Sequence, residues 1–226
     1  MAQSGAHARR PFRLGAINVN GLTDNSKRKG FFAWLQQQHL DVVLLSETHT
    51  SSDQQGQQWA QQGAGPGKPW QGQAFWCHQV PESGRRVRAG VAVLIADTIV
   101  AQGSDGVVDY SSTTGRALRI SWKTPWGQRL AAMAVYAPAD AAARPYFFSG
   151  ELLDALQTGD GPEGVMVGGD FNCCLSAADE EGMGGSSRTS GRFTGSQDLH
   201  LVCSSFDLVD VWRWSHPRAK QSTHYC

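Results

Sequence analysis

Gly164-Val-Met-Val-Gly-Gly-Asp-Phe-Asn172 is the stretch on which the reading of this chain turns. Val165, Met166 and Val167 make an apolar run long enough for a buried strand and too short for a helix. Gly168 and Gly169 follow, and glycines within a strand allow a bend or a close approach of another backbone. Asp170 and Asn172 then arrive where the strand should end. A buried strand that delivers a carboxylate and an amide to its C-terminal edge presents chemistry to a cleft. Taken alone, the plainer reading comes first: a strand entering a turn, with both side chains bonding local backbone.

Working outward, other strands end the same way. Phe12–Val19 alternates as a strand and runs into Asn18-Val-Asn20-Gly21, a turn signal whose asparagines by themselves mean only turn chemistry. Asp24 or Asn25 can cap a helix reaching about Gln38, with Phe31, Phe32, Trp34, Leu35 and the neighbouring Leu40 as its apolar stripe. Asp41-Val-Val-Leu-Leu-Ser-Glu47 is a second buried strand, and it too closes on a carboxylate, followed by Thr48 and His49. Residues Ser51–Pro69 are rich in glutamine and glycine and read as a loop or weak surface helix around Trp59. Strands are expected over Gln73–Gln79, Gly90–Ile95 and, weakly, Val107–Tyr110. The basic turn Ser83–Arg88 together with Gly90 is placed to border a cleft.

Arg116–Trp122 and Arg129–Tyr136 flank Thr124-Pro-Trp-Gly127 and predict a hairpin that closes on Tyr136-Ala-Pro138. For Tyr136 alone, an ordinary strand-end ring with its hydroxyl in water is the simpler expectation. Arg144–Leu156 predicts a helix burying Phe147, Phe148, Leu152, Leu153 and Leu156. Asp179–Arg192 reads as a mobile glycine- and serine-rich segment, and Leu199–Phe206 as a short helix. Leu208–Trp212 is apolar enough to pack. From Ser222 a further strand begins.

At 226 residues the chain suits one mixed α/β domain, here 12–226 after a flexible leader, 1–11. Its formal net charge is zero, so a polyanionic partner must be attracted by local patches or a bound cation. Arg9-Arg10 with Arg13, Lys27-Arg28-Lys29, and Arg85-Arg86 with Arg88 are such patches, and each is also what a solvated face looks like. Five cysteines without a C-x-x-C pair argue against a zinc site and for a reducing, intracellular compartment. Met1–Arg10 lacks the apolar core of a secretory signal, and no run reaches membrane-spanning length, so no membrane partner is expected. The sequence carries no signal for oligomeric state.

Several strands thus end in Asn18, Glu47, Tyr136, or Asp170 with Asn172. Magnesium prefers oxygen ligands and commonly takes one or two protein carboxylates beside substrate phosphate. Glu47 and the Asn18 amide oxygen suit such an ion, which would neutralise a phosphodiester. Asp170 suits proton abstraction from water, and Asn172 and Tyr136 suit donation to phosphoryl oxygens.

Ala16-Ile-Asn-Val-Asn-Gly-Leu22, Leu44-Leu-Ser-Glu-Thr-His49, Val135-Tyr-Ala-Pro138 and Gly168-Gly-Asp-Phe-Asn172 resemble, in order, the motifs of the endonuclease/exonuclease/phosphatase superfamily, the DNase I-like fold. Each motif is weak alone, and four in order are strong. Leu208-Val-Asp-Val-Trp-Arg213 followed by His216-Pro217 most resembles the endonuclease domain of LINE-type (non-LTR) retrotransposon polyproteins. The resemblance implies an α/β four-layer sandwich, two β-sheets face to face with helices outside. It implies Glu47 and Asn18 at the metal site, with Mg2+ or Mn2+ as cofactor. It implies Glu47, Tyr136, Asp170 and Asn172 as catalytic residues; Asn20, Thr223 and Arg88 are the candidates for substrate binding. DNA is the implied partner, a linked reverse transcriptase domain the implied neighbour, and the nucleus the implied place of action.

The chain also departs from the pattern. The family's Ser-x-x-Asp and closing Ser-Asp-His motifs have no counterpart after Thr223, and none of the seven histidines follows an aspartate. Ala139 stands where many members carry asparagine. These departures predict a C-terminally truncated piece of a longer reading frame, an open sheet edge, and impaired activity. The expected activity is magnesium-dependent nicking of DNA to prime reverse transcription at the target. Its rivals are an abasic-site repair nuclease or another phosphoesterase on the same scaffold, and a noncatalytic nucleic-acid-binding remnant.

Overall fold

A computed structural model describes residues 12–80, 88–158, 164–175 and 193–219. The leader 1–11, most of the basic turn, the segment Asp179–Arg192 and Thr223 with its expected strand lie outside the described residues. The first sheet holds β1 (Leu14–Asn18), β2 (Val42–Ser46), β3 (Gly72–Cys77) and β4 (Val91–Ala96), in the order β1-β2-β4-β3. The second holds β5 (Val107–Ser111), β6 (Ala117–Lys123), β7 (Arg129–Tyr136) and β8 (Gly164–Asp170), in that order. The parallel pairs are β1 with β2 and β7 with β8; the other neighbours are antiparallel. Among the described residues, β1 and β8 each stand at the end of a sheet.

The two sheets pack face to face through Val42 and Leu44, Val91, Val93 and Ile95 on one side and Leu118, Ile120, Trp122, Ala132 and Ala134 on the other. Outside the first sheet lie α1 (Asn25–Gln38) and α2 (Asp53–Gln62). There Phe32, Leu35 and Trp59 cover Val43, Leu45, Ala92 and Leu94. Outside the second lies one continuous helical run, α3 (Arg144–Tyr146), a π-helical stretch (Phe147–Leu152) and α4 (Leu153–Gln157), joined by α5 (Ser196–Ser205). Phe147, Phe148, Leu152 and Leu156 of that run pack on Ala117, Met133 and Val135. The result is the expected four-layer sandwich of two sheets flanked by helices. Because β2, β4 and β7 are covered on both faces, their sequences are near-continuous apolar runs.

The glycine pair of the opening stretch has two separate reasons. A Cβ on Gly168 would sit 2.9 Å from Leu44 Cδ1 and 3.2 Å from Ala16 Cβ, so this residue lets the sheets approach. Gly169 adopts φ +145° and a Cβ there would strike the Val135 backbone of the adjacent strand.

Three expectations change. The glutamine-rich stretch forms α2 as an ordered helix capped by Ser52, and Trp59 is buried edge-to-face against Trp76. Its inward side is only Gly56, Trp59 and Ala60, too few for a clear apolar period. In α1, Phe32 and Leu35 are buried while Trp34 is 43% exposed and stacks on Phe31. Leu208–Trp212 leads into α6 (Val211–Ser215), in which no residue is buried; Val209 and Val211 are 64% and 71% exposed among the described residues.

Candidate active site

Pairing direction collects the polar strand ends. In the parallel pairs Asn18 lies beside Ser46 and Tyr136 beside Asp170, so four strands finish at one end. β4 and β6 run oppositely, so the residues before them, Ala89, Gly90 and Arg116, arrive at the same end. Thr48 and His49 donate their backbone N–H groups to Gly90 O and Ala89 O, at 2.9 and 3.1 Å, which holds the loop after β2 in place.

Asn18 joins the sheets. Its Nδ2 donates to Glu47 Oε1 at 2.9 Å and to Asp170 Oδ2 at 2.8 Å, and its Oδ1 accepts the Asn20 N–H at 3.0 Å. This is the amide orientation that satisfies all three bonds. Asn18 therefore turns its nitrogen, not its oxygen, toward the carboxylates and gathers them. Asp170 is held twice, since the Asn172 N–H donates to Oδ1 at 2.9 Å. Asn172 in turn donates Nδ2 to Ala137 O at 2.9 Å, tying the exit of β8 to the exit of β7.

Tyr136 is buried, not bathed in water, with the Glu47 carboxylate near its phenol. Burial, reinforced by the nearby Glu47 and Asp170, pushes its phenol up to about 12, so the hydroxyl remains a donor at any ordinary pH. His49 brings Nε2 to 3.7 Å from Glu47 Oε2. Backbone strain concentrates here. Asn20, Glu47, His49 and Asn172 all adopt positive φ, between 43° and 57°. Non-glycine residues tolerate that region only where surrounding structure over-determines it, commonly at functional sites.

Of the sequence-predicted residues, the structure brings together Asn18, Asn20, Glu47, Tyr136, Asp170 and Asn172. Arg88 is exposed at the same end, one residue before Ala89, and bonds Gln79 through its backbone N–H. Thr223 lies outside the described residues. Sequence reasoning missed Arg116, whose guanidinium lies 5.0 Å from the Tyr136 ring centroid and bonds Tyr136 O at 3.1 Å. The hairpin register could have found it: Lys123 pairs with Arg129 and Ala117 with Val135, so Arg116 falls opposite Tyr136. Lys27 was read only as part of a basic run; its Nζ bonds Asn20 O at 2.7 Å.

The donor set fits a divalent cation of the magnesium type. Two carboxylates converge on one neutral amide, which bonds both charges and neutralises neither. Magnesium binds such oxygen sites with one or two carboxylates and completes its shell with water or phosphate. Glu47 is the residue that would hold it, with Asp170 beside it.

Residues 15–221 match the Endonuclease/Exonuclease/phosphatase family. A transposon TX1 protein of 149 kDa from Xenopus laevis is 28% identical over 213 residues, 93% of this chain, which spans only 14% of that protein's length. Among solved structures, the AP endonuclease LMAP from Leishmania major superposes with a TM-score of 0.66 at 16% identity, over 93% of this chain and 70% of that one. The catalytic domain of Xenopus laevis APE2 does so at 0.60 and 18%, over 92% and 73%. The fold is thus the DNase I-like one. With the family match spanning nearly the whole chain and the motif residues meeting at one end of the sandwich, the chain belongs to the endonuclease/exonuclease/phosphatase family.

Proposed function

We propose that the chain hydrolyses phosphodiester bonds in DNA with a divalent cation, Mg2+ or Mn2+, and nicks duplex DNA to prime reverse transcription for a LINE-type element. One observation carries this reading: Asn18 bonds Glu47 and Asp170 across the two sheets, with Asn172 on Asp170 and the Tyr136 phenol buried near Glu47. The transposon relative supplies the biological context, and its far greater length supports a covalently linked further domain, which we read as a reverse transcriptase. On this reading the chain acts on chromosomal DNA in the nucleus.

Bound at Glu47, the cation would neutralise the scissile phosphate and the leaving oxygen. The chain's own groups do the rest. Asp170, with both oxygens held by N–H donors, is oriented to take a proton from an attacking water. Tyr136 keeps its hydroxyl protonated and can donate to a phosphoryl oxygen as charge builds. Asn172 sets the carboxylate's angle and anchors the Ala137 turn. Asn20, Lys27 and Arg88 line the approach for flanking phosphates.

The test is nicking of supercoiled plasmid with magnesium, against cleavage of duplex carrying an abasic site. Relaxed circles that disappear with chelator and fall about 100-fold or more in Glu47→Ala and Asp170→Ala are expected. Cleavage confined to abasic duplex would replace the target-nicking reading with repair chemistry. Folded chains that bind DNA without cutting would leave a binding remnant.

A further inference from the structure

We propose that Arg116 is the positioning residue for Tyr136, setting the ring and the strand exit so that the hydroxyl faces Glu47. The inference rests on the site as read above, in which Tyr136 acts at the phosphoryl group.

Arg116 is fixed before it reaches the site. Gly115 adopts φ +71°, and a Cβ there would run into the Gln79 backbone. Ser112 Oγ accepts the N–H groups of Thr114 and Arg116 at 3.1 and 3.3 Å, and bonds Thr114 Oγ1 at 2.7 Å. Thr114 Oγ1 donates on to Glu151 at 2.8 Å, which ties the turn to the helical run outside the second sheet. The turn therefore delivers Arg116 in one place.

From there Arg116 grips Tyr136 at three points. Its carbonyl accepts the Tyr136 N–H at 2.8 Å. Its Nη1 donates to Tyr136 O at 3.1 Å, where the chain leaves the sheet. Its guanidinium lies over the ring, 5.0 Å from the centroid. A planar fork does the second and third tasks together, and a lysine ammonium cannot. The ring is thus held by a cation on its face, with the Glu47 carboxylate near its phenol. The same cation offsets the two carboxylates that crowd Tyr136. Glu47, Asn18, Asp170 and Asn172 continue the chain of bonds, so a displaced Tyr136 would disturb the carboxylate pair as well.

The experiment is a double-mutant cycle on nicking kinetics. Arg116→Gln should lower kcat roughly 10- to 100-fold with little change in KM. Arg116→Lys, which keeps the charge, should recover part of that loss. In a Tyr136→Phe background the Arg116→Gln change should cost under about threefold, because the residue it positions is already disabled. Equal losses in both backgrounds, or a loss carried by KM alone, overturn the proposal and make Arg116 an independent substrate contact. A second readout needs no activity. With 13Cζ-labelled tyrosine, the signal abolished by Tyr136→Phe should move in Arg116→Gln while those of Tyr110 and Tyr146 stay. An unmoved Tyr136 signal defeats the proposal even if the chain nicks DNA. A moved signal in a chain that never nicks keeps the positioning role and defeats the nuclease reading instead.

Discussion

Asn18 does the work of a clamp. Its single amide nitrogen holds two carboxylates, and its oxygen fixes the turn at Asn20. Asn18→Ala should free Glu47 and Asp170 to repel each other. A rate loss of roughly 100-fold is expected, with the magnesium concentration for half-maximal nicking rising about tenfold or more. Stability should change little, since the side chain is exposed; thermal unfolding alongside magnesium titration of the rate checks both. Tyr136 makes a second, pH-dependent prediction. Its phenol lies above the ordinary tyrosine value, pushed there by burial first. A raised folded-state value means that the protonated form favours the fold. That contribution is complete below about pH 10 and is lost as pH climbs toward 12. Urea midpoints should therefore fall between pH 10 and 12, and fall less steeply in Tyr136→Phe. Between pH 6 and 9 the rate penalty of Tyr136→Phe should stay flat, because the hydroxyl does not ionise there.

At the scale of elements, α2 shows how packing can outweigh propensity. Gly56 sits inside this helix, where alanine is ordinarily better by about 1 kcal/mol. A Cβ at Gly56 would, however, enter the Trp76 indole on β3, and overpacking of that kind costs about 1–3 kcal/mol. The second effect wins. Gly56→Ala should destabilise the chain by about 1 kcal/mol, whereas Gly30→Ala in α1, where a Cβ meets nothing within 4 Å, should stabilise it. Denaturant melts of both variants compare the two directly. The same helix explains why its stretch read as a loop or weak surface helix: Trp59 and Ala60 are its only buried side-chain-bearing residues, and the rest is largely glutamine facing water. The opposite occurs over most of Leu208–Trp212: Leu208 packs against the core outside the second sheet, but Val209 and Val211 stand exposed and α6 has no buried residue. Hydrophobicity states what a residue tolerates, not which surface reaches it. The strands were legible for the complementary reason. Covered on both faces, β2, β4 and β7 leave near-continuous valine, leucine and alanine runs bounded by turn residues.

Across the whole molecule, the outer helical layer is pinned to the second sheet by a buried ion group. Arg119 on β6 donates Nη1 to Ala155 O and Leu156 O at 3.1 and 2.7 Å, closing the end of α4. Its Nε lies 3.6 Å from Asp109 Oδ2, and both side chains are 4% exposed. Asp109 reaches it from an irregular step in the β5 register between Val108 and Tyr110. Burial lowers the Arg119 value and Asp109 draws it back up. Removing one partner strands a buried charge. Asp109→Ala should cost on the order of 3–5 kcal/mol by chemical denaturation, and Asp109→Leu with Arg119→Met clearly less. The alternation around Arg119 was visible in the sequence, but not that both faces of β6 are covered.

Read by itself, the sequence determined the order and kind of most elements, the apolar strands, and four motifs whose order names the family. It could place Asn18, Glu47, Tyr136, Asp170 and Asn172 at strand ends because strand ends are local: an apolar run stops and a polar residue follows. Only the tertiary structure decided that these ends meet. Asn18 and Asp170 are 152 positions apart and bond at 2.8 Å. That distance depends on two parallel pairs pointing the same way in facing sheets, which no local spacing encodes. The amide orientation of Asn18, the burial of Tyr136 and the hold of Arg116 follow from the same cause. Each is a property of what two distant segments present to one another within hydrogen-bond reach.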